Sequence, residues 1–267
     1  MSSFLRECIK SYSELAGGRP NLKTVATPFL ELPSDQNFEK GAMNSSVAAA
    51  MVSKEPQFTH SPGGAVDAGG MKTSAAAKKK SKAPINKAEE PGELANIASK
   101  VLMKVLYAAR MARFDLLRAV CTLATRGTIW DKICDRQLHR IMCYIHSSVQ
   151  ITMNSWIGDP FGELKLLLYT DADFAGCKTT SRSTSGIILI LRGPNTFWPI
   201  SAVSKRQTCV SHSTPEAELV AADLGLRQEA IPAQMLMTAL NGKEEPILLR
   251  EDNSAAIQII QTGKNHQ

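Results

Sequence analysis

An α/β fold with a mixed sheet is expected for the C-terminal part of this sequence, on three observations. Apolar and β-branched runs separated by brief turn signals occupy residues 164–203. Helical periodicity begins at Ser213 or Thr214, and a fourth strand at 246–250 precedes a second helix. The order β-β-β-α-β-α follows, with an antiparallel meander first.

The first strand is the continuous apolar run Leu164 to Thr170, which ends in acids. The second, Gly186 to Leu191, is bounded by Gly193-Pro194, and the third runs from Thr196 to Val203. The long helix has the marks of a good start, with Pro215 at its first position and Glu216 in its first turn. Its apolar positions continue through Leu219, Val220, Leu224 and Leu226. After Asn241-Gly242 the chain forms the strand Pro246 to Arg250, then a helix from Asn253 through Ile260 that ends near Gly263.

Upstream, Leu94, Ile97, Val101, Leu102, Val105 and Leu106 recur three and four apart, as do Leu116, Leu117, Val120 and Leu123, and then Ile133, Leu138, Ile141, Met142 and Ile145. These predict two or three amphipathic helices packed as one unit, closed by the turn Gly158-Asp159-Pro160. Residues 33–93 lose all periodicity and read as a low-complexity linker. Residues 1–32 predict a short helix carrying Phe4, Leu5, Ile9, Tyr12 and Leu15, a Gly17-Gly18 turn and an extended piece from Val25 to Leu32.

The chain has 267 residues, 43% of them hydrophobic, enough to bury a core. Its net charge of +6 is mostly local: Lys72, Lys78, Lys79, Lys80, Lys82 and Lys87 lie in a stretch without acids. A protein that coats nucleic acid uniformly is therefore disfavoured, and the lysine tract reads as a solubilising linker. The six cysteines are scattered, without a CxxC pair, as expected of reduced intracellular thiols. No secretory h-region and no run near the ~20 apolar residues of a membrane span is present. An intracellular location, cytoplasm or nucleus, and no membrane partner are expected.

Three carboxylates sit at element boundaries: Asp171 at the end of the first strand, Glu218 one turn into the long helix, and Asp252 after the fourth strand. Acids crowded in one cleft repel unless cations neutralise them, and carboxylate oxygens suit hard divalent metals. A pair of magnesium ions about 4 Å apart would activate a water and stabilise the leaving oxygen of a phosphodiester.

Five local words stand in order around these acids: Leu168 to Gly176, Arg182 to Gly186, Val203 to Gln207, Ser211 to Ala222, and Glu251 to Ile257. The series resembles the ribonuclease H region of copia-type retrotransposon Pol polyproteins over residues 161–267. Residues 94–160, with Val101 to Arg110 and Arg113 to Val120, resemble the helical connection that joins reverse transcriptase to that region. Residues 1–32, with Val25-Ala26-Thr27-Pro28, are similar to the stretch after the polymerase palm, and the polymerase motif Tyr-x-Asp-Asp is absent.

The resemblance implies a ribonuclease H-like fold and metal-dependent endonucleolytic hydrolysis of RNA in RNA–DNA hybrids, with the rest of a Pol polyprotein as a further partner. It implies Asp171, Glu218 and Asp252 as catalytic residues and as ligands of two Mg2+ ions, with Mn2+ as a substitute. Ser183, Thr184, Ser185, Lys205, Arg206, Ser213 and Asn253 are the expected nucleic-acid contacts. The family carries a fourth Asp beyond the helix that holds Ile257, whereas nothing after Asp252 is acidic here, and the sequence ends at Gln267. The expectation is therefore weak activity; the alternative is an inactive relic that at most binds nucleic acid. Asp173 is expected to cap the turn after the first strand, Glu216 to serve its helix dipole, and Asp223 to face solvent.

Overall fold

The computed structural model describes residues 1–18, 20–29, 91–177 and 180–264. Nearly all of the expected linker, its lysine tract, the end of the Val25 to Leu32 piece and the last three residues lie outside them.

Strands β1 (Lys165–Asp173), β2 (Thr184–Gly193), β3 (Thr196–Arg206) and β4 (Leu248–Arg250) form one sheet in the order β3-β2-β1-β4. β1 runs antiparallel to β2 and parallel to β4, so the sheet is mixed, as the element order predicts. The meander strands exceed their expected lengths because the ladder continues past the apolar core: Asp173 pairs with Thr184, and Thr184 with Arg206.

Alternate residues of β1 divide the sheet into two faces. Leu166 and Leu168 join Ile187, Leu189 and Ala230 in one buried cluster, and Ala172 packs with Ala217 and Ala221 in another, all under the long helix. Asp171 and Tyr169 belong to the opposite face. There, Ala202 of β3, in the row of Tyr169 and Ile188, packs on the helical core.

The long helix begins as α5 (Thr214–Gly225), passes through a π turn at Leu226–Ala230 and continues as α6 (Ile231–Asn241). Ser213 caps it by accepting from the Glu216 amide, and Glu216 returns a carboxylate oxygen to the His212 amide at 2.7 Å. The wide turn falls just before Pro232, which has no N–H to give and whose ring crowds the preceding turn. The helix ends at Gly242, whose φ of 68° is the left-handed cap glycine favours.

Gly225 is where this helix crosses the sheet most closely. A Cβ there would stand 3.2 Å from Thr170 and 3.3 Å from Ile187 and Leu168. Gly225→Val is expected to cost about 1–3 kcal/mol through overpacking, read as a lower urea midpoint. Unchanged stability would show that the helix lifts freely.

Helices α1 (Ser2–Leu15), α2 (Ala95–Met111), α3 (Leu117–Ala124) and α4 (Lys132–Ser147) share one core. Leu5, Cys8 and Tyr12 of α1 lie among Val101, Leu102 and Val105 of α2 and Leu138, Ile141 and Met142 of α4. Residues 1–30 and 91–267 belong to one compact unit. Asp159 of the closing turn accepts from the Asn195 amide at 2.7 Å, clamping that turn to the β2–β3 hairpin. Described residues up to Phe29 form no strand; Arg140 and Ser147 hold Thr27 and Val25 against α4. No helix among the described residues is long and apolar enough to cross a membrane.

Candidate active site

The parallel pairing of β1 with β4 ends with Tyr169 opposite Arg250, two residues before Asp171 and Asp252, and the charge of Asp252 bears on Asp171. The helix α7 (Ser254–Thr262) starts immediately afterwards, with Asn253 as its cap accepting from the Ala256 amide at 3.0 Å. Glu218, on the second turn of α5, is only 4% exposed. Its Oε2 is buried and has no hydrogen-bond partner.

The electrostatics tie these groups into one neighbourhood. Burial, and then the charges of Glu251, Asp171 and Asp252, push the Glu218 carboxyl up to about 8. Burial, followed by Asp252, raises Asp171 above the usual carboxylate range. Glu251 is also raised, again by burial first. It was not among the expected site residues, yet its carboxylate accepts from Thr170 Oγ1 at 3.0 Å and from the Asn253 amide at 3.1 Å. Its position at a strand end beside Asp252 was the available signal.

The turn at 174–176 closes on a bond from the Gly176 amide to the Asp173 carbonyl at 3.4 Å, and a Cβ at Gly176 would collide with the Asp173 carboxylate. That carboxylate also pairs with Arg118 of α3 at 2.6 Å, which places a cation of the helical segment two residues from Asp171. Asp223 is exposed, as expected, and pairs with Arg227.

The expected nucleic-acid contacts divide into two groups. Ser183 and Ser185 are 0% exposed, because their hydroxyls serve the protein: Ser183 Oγ accepts from the Ala175 amide and Ser185 Oγ from Gln207. Both hydroxyls are thus engaged within the protein. Thr184 is half-buried, while Lys205 and Arg206 are exposed. The two cations line a groove of about 470 Å³ between β3 and the helices α2 and α3, with Arg182 beside them. Ser213 and Asn253 are engaged as helix caps.

Among the described residues, no three His, Cys, Asp or Glu side chains converge closely enough to hold a metal ion as they stand. The acids lie near enough for their charges to act on one another but form no preformed cage. The donor set nevertheless suits a hard cation, because it is all carboxylate and includes a buried oxygen with nothing to bond. No protein-family model matches this chain, and no solved structure matches it at a significant level.

Proposed function

We propose that this chain is a ribonuclease H-type phosphodiesterase of copia-type retrotransposon descent, with a ribonuclease H-like fold, acting on the RNA strand of RNA–DNA hybrids. The observation that carries the reading is the buried, unpartnered Glu218 oxygen, on which the charges of Glu251, Asp171 and Asp252 converge.

Asp171, Glu218 and Asp252 would hold divalent magnesium, with Glu251 adding negative charge beside them. When bound, the cations neutralise the cleft and lower the pKa of a coordinated water. Asp171, half-buried near the end of β1, would meet a backbone phosphate from the strand side. Glu218 approaches from the helix side, its rotamer restricted by burial. Lys205 and Arg206 provide cations for phosphates flanking the cleft, a sequence-independent contribution suited to a substrate recognised by shape and 2′-hydroxyls.

Incubation of the folded chain with a fluorescent RNA–DNA hybrid in Mg2+ and in Mn2+, alongside Asp171→Asn, tests the proposal. Cleavage of the RNA strand by the parent and none by Asp171→Asn is expected. A folded parent that cuts in neither metal leaves only the non-catalytic, nucleic-acid-binding reading.

A further inference from the structure

Gln207 follows the last residue of β3 and is 5% exposed. A primary amide buried without partners costs several kcal/mol, so its bonds show what the fold requires of it. The side-chain Nε2 donates to Ser185 Oγ at 3.0 Å and to the Ala217 carbonyl at 2.9 Å. Its Oε1 accepts from Ser211 Oγ at 3.5 Å, and its backbone N–H donates to the Ser183 carbonyl at 2.8 Å.

Both ends of this bridge adjoin the acids. Ser185 is the cross-strand partner of Ala172, the residue after Asp171. Ala217 immediately precedes Glu218. The amide of Gln207 therefore links the strand position beside one carboxylate to the helix position beside the other. The α5 cap at Ser213 fixes where the helix starts, and this bridge ties its first turns to β2 through a side chain.

We propose that Gln207 is a positioning residue that sets the separation of Asp171 and Glu218, and that Ser185 is its anchor on the sheet. The role rests on the hydrolytic reading above, and it accounts for a buried serine where a substrate contact was expected.

The test uses the full chain carrying Gln207→Met, which keeps volume but loses the donors, and Ser185→Ala, which removes one arm with less disturbance. Thermal melts define a temperature at which each variant is folded. There, kcat on the hybrid is expected to fall about 10–100-fold with KM within about twofold, and the Mn2+ dissociation constant, read by electron paramagnetic resonance, to rise about tenfold. Ser185→Ala moves the same quantities in the same direction by less. Parental kcat and Mn2+ affinity in variants that are merely less stable would overturn the proposal.

If the parent cleaves nothing, the ribonuclease reading fails and Mn2+ affinity alone decides the role of Gln207. If the parent also binds no Mn2+, amide hydrogen exchange decides it. Faster exchange at Ala217 to Leu219 in Gln207→Met, with α2 to α4 unchanged, supports the bridge, and parental exchange there overturns it.

Discussion

Glu218→Gln is expected to lose hydrolysis by at least about a hundredfold while making the metal-free protein more stable at pH 8. The two effects have one cause. In the folded chain the Glu218 carboxyl titrates near 8, raised by burial and then by Glu251, Asp171 and Asp252. In the unfolded chain it titrates near 4.3. Between those values the folded state binds more protons, so stability is full below the lower value and falls as pH rises through the higher one. Water entering the cleft tempers the effect, leaving roughly 2–4 kcal/mol at stake.

The glutamine variant has no such charge to desolvate. Its melting temperature in EDTA should therefore exceed the parent's by roughly 4–12 °C at pH 8 and match it near pH 4. Added Mg2+ should narrow the gap by stabilising the parent alone. Parallel melting curves from pH 4 to 9 would show that Glu218 is not held as a buried, uncompensated acid.

Arg113→Ala is expected to be the most destabilising single change in the helical segment, by about 3–5 kcal/mol. Arg113 is 2% exposed and reaches Asp115 with Nε and Nη2 at 2.9 and 2.8 Å. The same guanidinium donates to the Ser148 carbonyl at 3.0 Å and to Ser148 Oγ at 2.7 Å, and it sits over the Tyr144 ring. It thereby ties the α2–α3 junction to the C-terminal end of α4. Truncation strands that carbonyl and opens a cavity.

Arg113→Lys should recover little, since one ammonium cannot reproduce a planar fork. Urea unfolding with an unchanged slope and a lower midpoint for both variants is the expected result. A lysine variant as stable as the parent would reduce the guanidinium to a space-filler.

The elements of the sheet were legible because their chemistry is local. Three apolar runs with turn residues between them gave the meander, and Ser213, with Pro215 and Glu216 after it, announced α5 four residues before its first buried position, Ala217. The acids were legible as strand-end and helix-start residues. The burial of Ser183 and Ser185 was not legible, because a polar residue after a turn looks exposed; Ser185 is covered in the ladder between β1 and β3, and Ser183 Oγ is taken up by the Ala175 amide. The Arg118–Asp173 pair spans 55 residues of sequence, and no periodicity encodes a contact at that distance. The π turn escaped for a related reason: its cause, Pro232, lies after the segment it widens.

The placement of α1 bears on how this sequence tolerates change. Its three core side chains are separated from their neighbours in α2 by the whole of residues 31–90, yet Tyr12 still reaches His139 of α4 at 3.1 Å. Exchange of Leu5 or Tyr12 would take side chains out of a core that α2 and α4 complete. A fourteen-residue helix far upstream is thus held to distant partners by packing and by the Tyr12–His139 hydrogen bond, across a long stretch of intervening sequence.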